Sequence, residues 1–236
     1  MQRLCRLAPR CVVAFLFLPL AFHGQTSAVQ TYRAGLKSIA IPAPTGDLSE
    51  IGPDYRVLLE PLTPDTNRLI AAFTQADDAA TMRAGHAYAL KQYALVEVLR
   101  RAEFADISPG LFKQIEDAMA TQFGTTLNAS LKDQQDELNH KLKAAQGDSA
   151  SAISIDKPVQ LGALFSKPDV CAFGVIMPLS AKGVTTQVAS GVILMRVQER
   201  LVYGYIYTEY KDDSSVRWIA KTSEEWADAI LAANKP

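Results

Sequence analysis

The sequence predicts an α+β fold, an antiparallel sheet flanked by helices. Three observations point there. Four apolar segments between residues 159 and 210 are joined by the short turns SKPD (166–169), SAKG (180–183) and QER (198–200). Connections that short pair neighbouring strands antiparallel, because parallel neighbours need long crossovers. Two stretches, 109–145 and 212–234, carry apolar residues at helical spacing instead. Hydrophobic residues make up 48% of the 236 and charged residues 21%, enough apolar matter for a packed core. Strands followed by helices make a layered α+β architecture.

The chain opens with an address. Arg3, Arg6 and Arg10 precede the apolar run from Cys11 to Phe22, and small polar residues follow. The run is too short for the roughly 20 residues that span a bilayer, and the pattern is that of a secretory signal peptide, residues 1–28, cut after Ala28. No later stretch is apolar enough to span a membrane as a helix. Removing three arginines from 24 basic residues leaves 21 against 25 acidic ones, a net charge of −4. That balance, with no dense basic run, argues against nucleic acid as a partner. Cys5 and Cys11 leave with the signal, so Cys171 stands alone and no internal disulfide can form. The mature chain, 29–236, is expected to be one domain held by its core.

Its elements read in order as follows. Residues 36–44 (LKSIAIPAP) are a short extended segment, with Gly46, Asp47 and Pro53 as turn formers. Tyr55–Leu62 and Arg68–Thr74 read as strands, joined as a hairpin by the turn cluster at 63–67. Residues 75–86 read as a loop, and His86–Arg100 as a longer strand. Ser108 is a helix N-cap with Pro109 at the first helical position. Leu111, Ile115, Ala118 and Met119 begin its apolar face, and Leu127, Leu131, Leu138 and Leu142 continue it past Gly124. This is either one long kinked helix or two successive ones. It is expected to lie on the sheet, since Gln134 and Gln135 break a coiled-coil seam. Residues 147–156 read as a linker. The strands Val159–Phe165, Val170–Pro178, Val184–Val197 and Leu201–Tyr210 follow. In the closing helix Thr222 and Glu225 resemble a capping box, Trp226, Ile230 and Ala233 share a face, and Asn234 is a stop. Residues 36–145 and 157–234 thus share a strands-then-helix order, which suggests an internal duplication.

Chemistry-bearing motifs are few. The mature chain holds two histidines, His86 and His140, with no neighbouring ligands at zinc-site spacing, so no metal or cofactor is expected. Cys171 sits in an apolar strand and reads as a buried thiol. Nucleophile-elbow and phosphate-loop patterns are absent from the sequence. Asp77–Asp78 and Asp212–Asp213 read as turn or cap residues.

Two patterns remain. Tyr203, Tyr205 and Tyr207 share one face of a strand, and each offers an apolar body with a polar tip. They are the candidate ligand-binding residues, against the alternative that they fill a half-buried sheet face. Gly162, Gly174, Gly191 and Gly204 each interrupt a C-terminal strand. Aligned across the sheet they would form a trough, either a groove for a small ligand or peptide or the seat of a closely packed helix.

The segment SIAIPAPTGDL, the repeated strands and the closing YGYIYTEYKDD and EEWADAILAAN resemble secreted bacterial proteins of unknown function. In element order the chain is loosely similar to the PsbP-type α/β/α sandwich family. The resemblance implies a binding or assembly factor. The expected function is therefore an exported, periplasmic or extracellular, non-catalytic module that binds a small ligand or an envelope protein. Two alternatives stand beside it: an envelope hydrolase whose carboxylates converge in the fold, and a structural protein that self-associates through a sheet edge. A pocket joining two carboxylates or His86 to the tyrosines would favour the hydrolase.

Overall fold

The computed structural model describes residues 29–44, 47–52, 59–60, 63–83, 90–147, 152–181 and 183–235. Residues 1–28, expected to be a signal peptide, and His86 lie outside them. Ten strands and three α-helices are described. Strands β1 (Gln30–Ala34) and β2 (Lys37–Ile41) form a separate hairpin. Its turn needs Gly35: φ is 57°, and a Cβ there would collide with the Glu103 carbonyl.

The main sheet is built from β3 (Leu48–Glu50), β4 (Asn67–Gln75), β5 (Gln92–Leu99), β6 (Ile153–Ile155), β7 (Val159–Lys167), β8 (Val170–Ala181), β9 (Val184–Val197) and β10 (Arg200–Glu209). Their order is β3-β4-β5-β10-β9-β8-β6, with β7 also beside β8. Every pairing is antiparallel. The two sequence halves meet where β5 pairs with β10, Tyr93 opposite Tyr207 and Glu97 opposite Tyr203.

Helix α1 (Ala76–Arg83) follows β4 directly, α2 runs over Pro109–Gln146 and α3 over Asp213–Ala233. On one sheet face Ala94, Val96, Val202, Ile206, Ile193 and Met195 pack under Ile219, Trp226, Ala227 and Ile230 of α3. Trp226 is fully buried, meets Phe73 edge-on at 5.7 Å and donates its indole N–H to Pro42 O at 2.8 Å. On the other face Cys171, Phe173, Leu194 and Leu201 pack under Phe112 of α2, with Ile115, Met119 and Phe123 against them. The helices of the two strands-then-helix units therefore lie on opposite faces. Among the described residues no helix is long and apolar enough to cross a membrane.

Several expectations are corrected. The loop at 75–86 is α1 as far as Arg83, because alanines favour helix and Asp77 and Asp78 suit its N-terminal turn. The strand Tyr55–Leu62 falls mostly outside the described residues. Leu59 and Glu60 form a 3-10 turn, and β4 pairs with β3 and β5 instead. The expected strand from His86 begins, as described, at Gln92. Helix α2 continues through Gly124 as one element, with Ser108 capping it by accepting from Leu111 N at 3.1 Å. The linker contains β6. Thr222 caps nothing: α3 starts ten residues earlier at Asp212, whose carboxylate accepts from Ser214 N, and Thr222 is buried in mid-helix. Ala233 is exposed, while Asn234 does end the helix.

At Gly174, Gly191 and Gly204 the glycine row is a packing seat and not a free groove. Gly162, Gly174 and Gly191 register across β7, β8 and β9, whereas Gly204 lies opposite Ile193. A Cβ on Gly191 would strike Ser223 of α3, and one on Gly174 would press on Leu161 and Leu164. A Cβ on Gly204 would come within 3.4 Å of Trp226. At Gly174 and Gly191 the side chains of β7 and α3 take the space a Cβ would need, and Gly204 is tight, whereas a Cβ on Gly162 would meet nothing within 4 Å.

Candidate ligand-binding cleft

The tyrosine face is where α2 and the sheet part company. The first half of α2 sits on the core, but its second half is held by polar contacts at two separate places. On one side Asn139 exchanges hydrogen bonds with the Ile153 backbone, donating to its O at 2.9 Å and accepting from its N at 2.7 Å. Gln135 accepts from Ile155 N at 2.8 Å. These amides supply the partners that β6, an edge strand, otherwise lacks. On the other side Glu137 accepts from Asp65 N at 2.7 Å, and Lys141 donates to Thr63 O at 2.7 Å while pairing with Asp65 and Glu137.

Between these attachments lies a cleft of about 600 Å³. Its floor is Tyr93 and Leu95 of β5, Tyr207 of β10, Val184, Thr186 and Val188 of β9, Met177, Leu179 and Ala181 of β8, and Ile153 and Ile155 of β6. Gln134, Glu137 and Leu138 of α2 form the roof, and Thr63, Pro64, Leu90, Lys91, Thr208 and Glu209 complete the wall. The floor crosses five neighbouring strands, a width of about 19 Å at the usual strand spacing. The volume is that of sites that hold drug-sized or lipid-sized molecules.

The three candidate tyrosines form one stacked ladder. Ring centroids are 6.4 Å apart between Tyr203 and Tyr205 and 6.2 Å between Tyr205 and Tyr207. Tyr93 stacks on Tyr207 at 4.5 Å. Only Tyr207 of the three lines the cleft. Tyr205 continues the ladder beneath, in the cluster of Leu59, Ala72 and Leu95, and Tyr203 packs beside Leu194 and Leu201 under the first half of α2. Burial pushes all three phenols, and that of Tyr93, above their ordinary value.

Beside the ladder sits Glu97, only 2% exposed. It accepts a hydrogen bond from Asn67 at 2.7 Å. Burial raises its carboxyl to about 7, against the pull of Asn67, Thr63 and Lys141 toward the charged form. The remaining singled-out groups lie elsewhere. His140 is exposed on α2. Cys171 is buried on β8, its thiol pushed up to about 12 by burial first and the Glu116 charge second. Asp78 is buried, unlike a solvated turn acid, and accepts from Lys91 N and Gln92 N, fixing the start of β5.

Sequence reasoning missed Tyr93, Lys91, Leu138 and the whole β6–β8–β9 side of the cleft. What marks that side shows only in the fold. The end of β8, Met177–Ala181, extends beyond the buried core, leaving Met177 and Leu179 only half-covered.

No family model matches the chain, and no curated protein matches it. Two of the solved structures similar to it are of Mog1. A point mutant of the protein Mog1 shares 12% identity over 87% of this chain and 93% of its own, with a TM-score of 0.31. The Saccharomyces cerevisiae Ran-binding protein Mog1p shares 11% identity over 87% of this chain and 91% of its own, with a TM-score of 0.26.

Proposed function

We propose that the protein is an exported, non-catalytic binding module of the periplasm or cell exterior. Its site is the cleft between the second half of α2 and the tyrosine face. The cleft itself carries this reading: about 600 Å³ with a mainly apolar lining and a stacked tyrosine pair in its floor. Apolar walls with a few polar groups at the margin suit retention of an apolar small molecule. The basic segment and apolar run before Ala28 support export. The antiparallel sheet between helices on opposite faces supports kinship with the PsbP-type sandwich.

One observation favours the hydrolase reading. Glu137 and Glu209 line the same cleft as Tyr207. Glu137 is committed to Lys141 and Asp65 N, and Glu209 lies 3.7 Å from Lys211, so neither is an isolated acid or base.

Two measurements test the binding module. Native mass spectrometry of the protein from its host's envelope fraction should show a retained small molecule and a chain beginning at Val29. The uncharged fluorophore N-phenyl-1-naphthylamine should bind the protein and be excluded by Val188→Arg. Binding unaffected by that substitution would place the site elsewhere. Turnover of ester or glycoside substrates that is lost in Glu137→Gln would replace this reading with the hydrolase.

A further inference from the structure

The cleft is not electrically symmetric. Lys91 enters its wall at the β5 end, where its backbone is fixed: its N–H goes to Asp78 at 2.8 Å and its carbonyl accepts from Glu209 N at 3.2 Å. Its ammonium has no ion-pair or hydrogen-bond partner among the described residues, although it stands on a wall of the cavity. The nearby Glu209 is turned to Lys211 instead. That end therefore gathers charged groups of both signs, Lys91 and Lys211 against Glu209 and the buried Asp78, and of the charged lining residues it is Lys91 that is left without a partner among the described residues. The other lining carboxylate, Glu137, is held by Lys141 and Asp65 N. At the opposite end the floor is Ile153, Ile155, Leu179, Ala181 and Val184, with no charged floor residue.

Resting on the binding-module reading above, we propose that the ligand is an anionic amphiphile with one long alkyl chain. Its carboxylate meets Lys91, and its chain lies across β10, β9 and β8 toward β6. The shape agrees: a floor about 19 Å wide and apolar at its far end accepts an extended chain. The chain supplies affinity by burying methylenes, and the ammonium selects the head group by a charge-assisted hydrogen bond. A neutral alcohol of equal length would keep the first contribution and lose the second.

The test uses the exported protein loaded with N-phenyl-1-naphthylamine. Tetradecanoate and tetradecanol are compared as displacing agents on the wild type, Lys91→Gln and Val188→Arg. Tetradecanoate should displace the probe at about tenfold lower concentration than the alcohol, and Lys91→Gln should remove most of that difference. Lys91 is exposed, so its substitution leaves the fold intact. Equal displacement by acid and alcohol, or a preference that survives Lys91→Gln, overturns the head-group assignment while the cleft remains a binding site. Failure of the probe to bind, or binding that ignores Val188→Arg, removes the cleft reading itself and this inference with it.

Discussion

Asn139 on α2 and Ile153 on β6 exchange two hydrogen bonds, a side-chain amide pairing with a backbone amide as a neighbouring strand would. The helix thereby closes a sheet edge and is held a fixed distance above the floor of the cleft. Asn139→Leu should destabilise the protein by about 1–3 kcal/mol, because both Ile153 groups lose their partner. Urea denaturation reads the loss, and hydrogen exchange should speed up at Ile153 and Ile155. Unchanged exchange there would mean that β6 holds without the helix.

Glu97 makes stability depend on pH. Its carboxyl is raised from 4.5 to about 7, so the native state holds the proton more tightly than the unfolded chain. The stability from this group is fully present below about pH 4.5 and is lost as pH rises through 7. Glu97→Gln removes the titration. The variant should exceed the wild type by about 3 kcal/mol at pH 8 and match it near pH 4. Thermal unfolding of both proteins across that range decides; parallel profiles would refute the assignment.

Gly191 and Ser223 should be coupled. Gly191→Ala alone drives a methyl into the Ser223 hydroxyl and should destabilise. Ser223→Ala alone removes a buried hydroxyl that has no hydrogen-bond partner, and should be neutral or stabilising. With both changes the Cβ of residue 191 meets the Cβ of residue 223 and Leu164 Cδ1, each at 3.6 Å, both ordinary contacts. The double variant should recover most of the loss, and simple additivity in the cycle would show that the clash is relieved elsewhere.

Cys171 should be inert in the folded protein. It is 1% exposed and its thiol is raised to about 12, so thiolate is scarce at neutral pH. Iodoacetamide followed by peptide mapping should label it only at denaturant concentrations that unfold the chain. Labelling of the native state would reveal local opening of β8.

The strands of the second half were legible because their side chains alternate and their turns are short. Leu201, Tyr203, Tyr205 and Tyr207 fall on one face, and Val202, Gly204 and Ile206 on the other, as the spacing of two demands. The caps Ser108 and Asn234 were legible for the same local reason. What escaped depended on distant partners. β6 exists because Asn139 and Gln135 complete it, and neither amide announces that role. α1 is eight residues with scarcely an apolar stripe. Thr222 and Glu225 have the spacing of a cap, but the sheet below and Asp212 upstream decide where the helix starts. The tyrosines were visible as a stripe; that the cleft begins only at Tyr207 follows from where α2 lifts off the sheet.

The junction of β5 with β10 has a consequence for how the protein is made. Residues 92–99 must wait for residues 200–209 before the central pairing can form, a closure across more than a hundred intervening positions. The Tyr93–Tyr207 stack belongs to that late step, and so does the cleft built around it. A chain that has not yet reached residue 209 therefore lacks the cleft. Any molecule that binds only the finished cleft would draw the folding equilibrium forward, so that on the proposed reading occupancy would report a completed chain.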